Sequence, residues 1–265
     1  MRSRNNDKSI LYKRMEPEIE LPFFESLQDS FEEGELRKSL LKKFNETKAI
    51  KLLQKLEECC IDKPCNSPAC ANCSRNYRIF IINELSKNIA EQSNWVIVTL
   101  IYYLDVMTTK DFEHFDIKRL KAKLYQQIKR AGFQKIVIGG FEIDYHTDIK
   151  RWVPHFHLLM GNEPYALKKL RKMILKKCTY ELRSNVIARP MKVLPLLDVY
   201  KQISYNFKPY SMEVRAYRNH EGKRRTAKYR LTAKRFALSL IKLDQIGFHN
   251  LCFQYKCRIP ISKCQ

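Results

Sequence analysis

No stretch of this 265-residue chain approaches the ~18 consecutive apolar residues that cross a bilayer, which excludes a helical membrane protein. Met1-Arg-Ser-Arg-Asn-Asn-Asp7 is not followed by an apolar leader, so a soluble protein with no membrane partner is expected. The expected location is cytoplasmic, at the nucleoid in a bacterial host. No internal repeat or low-complexity tract is visible, which excludes repeat arrays. Acidic residues are short: 28 Asp and Glu face 50 Lys and Arg, a formal charge of +22. An excess of that size gathers polyanions, and nucleic acid is the expected partner. The nine cysteines fit no standard finger spacing. Without a secretion signal, an odd count clustered in one place points to metal ligation before a disulfide framework.

What is present suffices for a substantial core, at 45% hydrophobic and 11% aromatic residues. Residues 1–15 are basic and polar and are expected to be mobile. From Glu16 to Glu35 the balance inverts, with eight acidic residues and no basic one among Leu21, Phe23, Phe24, Leu27 and Phe31. Such a segment reads as an amphipathic packing element, or as an internal competitor lying across the protein's own nucleic-acid groove. Leu36 to Glu58 has the spacing of one helix. Five thiols then fall within the fifteen residues from Cys59 to Cys73, closed by Cys70-x2-Cys73 and punctuated by Pro64 and Pro68. They fit a closed, structural Zn²⁺ knuckle of Cys60, Cys65, Cys70 and Cys73, with Cys59 the alternative to Cys60. Cys178, Cys252, Cys257 and Cys264 are scattered and read as core or surface thiols. Arg75 and Arg78 open the next helix, to about Ala90, as phosphate-contacting residues.

Asn94–Tyr103 is a buried strand rich in β-branched and aromatic residues. Asp116 caps a helix with an Ile117, Leu120, Leu124, Ile128 stripe that ends at Gly132. Ile136–Tyr145 and Trp152–Met160 are strands joined by a turn. A lysine-studded helix starts at Asn162 and Pro164, an edge strand or irregular connection covers Val186–Val199, and a short helix covers Asp198 to about Phe207. The pattern predicts an α+β fold, with helices packed on a central, mainly antiparallel sheet. Lys208–Lys242 carries eleven basic residues against two acidic ones, interleaved with Tyr210, Tyr217, Tyr229 and Phe236. Its Arg224, Arg225, Lys228 and Arg230 are candidate contacts to a single strand, with a solvated basic helix as the alternative.

The chemistry gathers at Pro154-His-Phe-His157. On a strand the two imidazoles share a face. A turn centred between Asp148 and Ile149 puts Glu142 directly opposite His155, with Cβ atoms within ~5.5 Å. Glu142, His155 and His157 then form a half-filled coordination sphere, with Asp144 two residues along the same face. Downstream, Lys201, Tyr205 and Lys208 lie on one face of a helix, an ammonium on each side of a phenol. Tyr200 points away, and Tyr210 lies past Pro209.

These pieces resemble the HUH endonucleases, and within them rolling-circle replication initiators and related transposases. The resemblance rests on Ile97-Val-Thr99-Leu100, Gly140-x-Glu142, Pro154-His-Phe-His-Leu158, the tyrosine helix with Tyr205-x-x-Lys208, and the cysteine cluster ahead of them. It covers roughly residues 60 to 215. It implies a palm-like nuclease core over 79–215, flanked by an N-terminal acidic and helical segment (1–58), a zinc knuckle (59–78) and a basic extension (216–265). It also implies attack of a tyrosine hydroxyl on a DNA phosphodiester, leaving a 5′-phosphotyrosine. Mg²⁺ or Mn²⁺ would be held by His155, His157 and Glu142, with Tyr205, Lys201 and Lys208 catalytic. The implied partners are single-stranded or hairpin origin DNA and a host helicase or polymerase. Many relatives carry lysine just before the tyrosine, where this chain has Ser204, so Tyr200 stays open as nucleophile. A non-catalytic nucleic-acid-binding protein and a phosphoesterase using water are the other readings.

Overall fold

A computed structural model of the protein describes residues 24–87, 89, 94–176 and 189–257. The expectations for residues 1–15, for the acidic stretch before Phe24, and for Cys178 and Cys264 lie outside the described residues.

The long β2 (Val137–His146) and β3 (Arg151–Gly161) form a hairpin in which nearly every side chain is buried. Their Val, Ile, Phe and Leu content on both faces marks strands covered on both sides. The turn falls where the sequence places it, and Glu142 pairs with His155. β1 (Trp95–Ile101) lies antiparallel on the far side of β3, and β4 (Met191–Pro195) forms the edge beyond β1. β2's outer edge is shared: β7 (Cys252–Tyr255) pairs antiparallel with its start and β5 (Glu213–Arg218) parallel with its end. β6 (Arg224–Tyr229) pairs antiparallel with β5. The fold is α+β, and among the described residues β2–β5 is the one parallel pairing in a seven-stranded sheet.

One face of the hairpin is aromatic. Trp152 stacks on Phe112 of α4 (Thr109–His114) at 4.1 Å, and Phe156 meets Phe141 edge-on at 5.3 Å. α5 (Ile117–Ala131) keeps both of its expected ends. Asp116 accepts the Lys118 N–H at 2.9 Å, and Gly132 takes the left-handed conformation, φ 90°, that closes the helix. α6 (Pro164–Lys176) packs beside α5.

Three expectations need correcting. The single helix over Leu36–Glu58 is two, α1 (Leu27–Leu41) and α2 (Thr47–Glu57), because the chain turns at Lys43-Phe44 and Phe44 folds back on the core. α1 also reaches back into the acidic stretch, where Ser26 and Asp29 form a reciprocal cap at 3.0 and 2.8 Å. The third helix, α3 (Ala71–Ser86), starts four residues before the expected opening at Arg75, inside the cysteine cluster with Cys70 at its N-cap. Finally, residues after 216 are no appendage. α8 (Ala233–Leu251) packs on β2 and β7, so the C-terminal part completes the sheet, and the basic tract before it is the β5–β6 ribbon instead of a helix. Among the described residues no helix is long and apolar enough to cross a membrane.

Candidate functional site

Strand alternation carries Gly140, Glu142, Asp144, His155 and His157 to the hairpin's other face, and β1 adds Thr99 directly opposite His157. Each imidazole has one nitrogen held by its surroundings. His155 Nδ1 lies 3.2 Å from the Val153 carbonyl oxygen, and His157 Nδ1 3.1 Å from Thr99 Oγ1. With Nδ1–H donated to each oxygen, both Nε2 atoms face inward. They converge on one oxygen: Glu142 Oε2 is 2.9 Å from His157 Nε2 and 3.3 Å from His155 Nε2. Two imidazole nitrogens facing one carboxylate oxygen need a cation among them, a proton or a metal ion. Glu142, His155 and His157 therefore can hold a divalent ion through one atom each, and three protein ligands do not by themselves complete its coordination.

The charges agree with that arrangement. Burial works against ionised Glu142, but His155, His157 and Lys228 outweigh it and hold the carboxyl well below the usual range. Burial and then the Glu142 charge push Asp144 up to about 6. Burial keeps His157 below the ordinary imidazole value, while for His155 the attraction of Glu142 overcomes burial and raises it. Lys228, expected to contact nucleic acid, instead reaches back from β6 to Glu142 Oε1 at 2.7 Å and Asp144 Oδ2 at 2.8 Å. It is the built-in counter-charge of this acidic pocket.

The tyrosine arrives on α7 (Val199–Asn206). Asp198 caps the helix by accepting the Lys201 N–H at 2.9 Å, and Gln202 ties its start to Leu197 and Pro195. Arg78 fastens the other end, donating to Ser204 Oγ at 2.5 Å and Ser204 O at 3.3 Å. The Tyr205 ring then stands 5.3 Å from the His157 ring, nearly perpendicular and half-exposed. Tyr200 is packed against the core, and Tyr210 lies among Phe236, Arg37 and Lys208. Of the three tyrosines, Tyr205 is the one brought to the histidines. Burial and the Glu142 charge hold its phenol above the ordinary value, opposed by Lys228. Lys201 is exposed on α7, but the helix ends at Asn206, so Lys208, also exposed, lies past it and not on the expected shared helix face.

The cysteine knuckle closes with one change. Sulfur atoms of Cys59, Cys65, Cys70 and Cys73 gather, and the Cys59–Cys70, Cys59–Cys73 and Cys65–Cys73 separations are each 3.7 Å. A tetrahedron with metal–sulfur bonds of about 2.3 Å has sulfur edges of about 3.8 Å. Disulfide bonds, at about 2.05 Å, are excluded among these pairs. Cys60 is exposed and outside the group. The Cys65 N–H points at Cys59 Sγ at 3.3 Å, and this local turn selects Cys59 over its neighbour. Cys70 caps α3 and Cys73 lies in its first turn, so the helix's positive end faces the thiolates.

The remaining candidates spread out. Arg75 and Arg78 are buried against Phe24 and Glu25. Arg230 forks onto Glu33 at 2.8 and 3.2 Å, Arg224 bonds Asp148 of the β2–β3 turn at 2.5 Å, and Arg225 is exposed on the ribbon. Sequence reasoning missed the roles of Thr99, Lys228, Ser204 and Glu25. All four act through contacts distant in sequence, which leave no periodic signal. Comparison of the chain with family models, with curated proteins and with solved structures finds no match.

Proposed function

We propose that this protein nicks and rejoins single-stranded DNA with Tyr205 as the nucleophile. The observation that carries the reading is the 5.3 Å approach of the Tyr205 and His157 rings, beside a Glu142, His155, His157 group that can take a divalent ion. Tyr205 Oη would lose its proton to solvent and bond to phosphorus as the bond from phosphorus to the 3′ oxygen breaks. That oxygen gains a proton, and the strand is left as a 5′-phosphotyrosine. The reverse attack by the 3′-OH restores the phosphodiester without an external energy source, since one ester is exchanged for another. Mg²⁺ or Mn²⁺, bound by Glu142, His155 and His157, would supply Lewis-acid polarisation of the phosphate. Lys201 and Lys208, on either side of Tyr205, neutralise charge gathering on the phosphate. Lys228 offsets the two carboxylates that hold the phenol's pKa up.

The reading agrees with the resemblance to HUH endonucleases, and initiation of rolling-circle replication or movement of a mobile element is the corresponding role. Zn²⁺ fits the four-cysteine knuckle on its sulfur spacing and would be structural there, since four protein thiolates leave no open position. Hairpin origin DNA and a host helicase or polymerase are the partners this role requires.

The test is incubation with end-labelled single-stranded DNA and Mn²⁺, followed by denaturing electrophoresis. A covalent adduct lost in Tyr205→Phe is expected. An adduct that survives in Tyr205→Phe moves the nucleophile to Tyr200. Cleavage without any adduct replaces the tyrosine by water, and neither product across a library of sequences leaves a binding protein.

A further inference from the structure

Arg75 and Arg78 are the two arginines of α3, and the fold buries both, to 5% and 7% exposure. A buried guanidinium demands an anion. Arg78 finds the Glu25 carboxylate, to which it is ion-paired through Nη1, while Nη2 and Nε donate to the hydroxyl and carbonyl of Ser204. Arg75 Nε donates to the Glu25 carbonyl oxygen at 3.0 Å. The Phe24 ring lies beneath both guanidiniums, 4.5 Å from Arg78 and 5.7 Å from Arg75. Lys208, two residues past the end of α7, is close enough to feel the charges of Arg78 and Glu25, and its ammonium, 5.0 Å from the centre of the Tyr210 ring, adds a further cation.

Two features separate this cluster from an ordinary structural ion pair. Its position is one: Ser204, the residue Arg78 grips, immediately precedes Tyr205. Its accessibility is the other. The Glu25 side chain is 29% exposed and that of Arg78 only 9%, so the anion sits on the solvent side and can be exchanged while the cation stays fixed. Glu25 belongs to the run from Glu16 to Glu35 that holds eight acidic residues and no basic one, on a chain with a net charge of +22. The Arg78 Nη1–H that holds a carboxylate oxygen of Glu25 can hold a phosphodiester oxygen equally well, with the Ser204 hydroxyl, fixed by Nη2, beside it.

We propose that Arg78, Lys208 and the Ser204 hydroxyl form a subsite for a backbone phosphate of the DNA strand beside Tyr205, and that Glu25 occupies it as an internal competitor. The subsite rests on the proposed function for its purpose, but its test reads binding alone. DNA must displace Glu25 to enter, so the observed affinity is reduced by the fraction of molecules in which the carboxylate is in place.

The test is a fluorescence-anisotropy titration of a labelled single-stranded oligonucleotide without added divalent metal, so that no nicking contributes. If Glu25 fills the subsite nine-tenths of the time, Glu25→Gln binds about tenfold more tightly. Its log Kd also gains about one unit of dependence on log salt concentration, for the added phosphate contact. Lys208→Gln, at an exposed position that leaves the fold intact, binds more weakly, and the double variant loses most of the Glu25→Gln gain. Equal affinity and salt slope in Glu25→Gln and the parent, with both folded, overturns the proposal. If Glu25→Gln does not fold, unchanged affinity in Lys208→Gln overturns it instead. Inorganic phosphate separates the sources of the anion. Should it raise the melting temperature of Glu25→Gln while oligonucleotide affinity stays at the parental value, the subsite serves free phosphate and its assignment to DNA fails. A working subsite in a protein that forms no adduct with DNA would leave this proposal standing while refuting the nicking reaction.

Discussion

Gly140 and Asn206 meet backbone to backbone: a Cβ on Gly140 would stand 2.1 Å from the Asn206 carbonyl oxygen. That contact seats the end of α7 directly on β2, two residues from Glu142 and one from Tyr205. No side chain other than hydrogen fits there, so the glycine sets how closely the end of α7 and Tyr205 approach the Glu142, His155 and His157 group. Gly140→Ala should push α7 outward, with a stability loss of about 1–3 kcal/mol from overpacking. Misplacing a nucleophile by about 1 Å costs on the order of 100-fold in rate. Adduct formation should therefore fall far more than the melting temperature. A Gly140→Ala protein with parental activity would show that α7 does not set the position of Tyr205.

Thr99 opposes His157 across β1 and β3, and its hydroxyl lies 3.1 Å from His157 Nδ1. Thr99→Val keeps the shape and β-branching and removes that oxygen. Without it the ring can turn or change tautomer, and partners of this kind are worth about 10–100-fold in metal affinity. Calorimetric titration with Mn²⁺ should show that loss, with the unfolding midpoint little changed. An unaltered Mn²⁺ affinity would mean that packing alone orients His157.

Much of this geometry is legible from strand alternation. Glu142, Asp144, His155 and His157 share a face, and the hairpin turn fixes the register, because both follow from a period of two and a short connection. α5 is equally legible, since Asp116 and Gly132 bracket one apolar stripe. Lys228 is not. It reaches Glu142 through an 86-residue separation, on a ribbon whose polar, exposed residues carry no alternating burial. Nor is the choice of Cys59 over Cys60, which depends on the turn that directs the Cys65 N–H to Cys59 Sγ.

That choice yields a comparison between adjacent residues. Cys59→Ser removes one of four gathered sulfurs, whereas Cys60→Ser alters an exposed thiol outside the group. A tetrathiolate site couples metal binding to folding, so the first variant should lose stoichiometric zinc and melt well below the parent. The second should match the parent in both. Metal content by mass spectrometry and thermal unfolding decide it, and equal zinc retention in the two variants would remove Cys59 from the ligand set.

Glu33 joins the acidic helix to the ribbon. Its carboxylate takes a fork from Arg230 at 2.8 and 3.2 Å and the Arg37 Nε–H at 2.8 Å. Burial works against the charge, but the two arginines prevail and hold the Glu33 pKa below its ordinary value. A carboxyl depressed in the folded state stabilises the protein above its unfolded pKa, about 4.3. That stability is lost as pH falls through the lower folded value. Solvent reaches Arg230, whose side chain is 44% exposed, so screening limits the contribution to about 1 kcal/mol. Urea unfolding of Glu33→Gln and the parent should differ by that amount at pH 6 and converge below pH 4. A gap that stays constant down to pH 3 would show that the difference comes from packing and not from the ionised carboxylate.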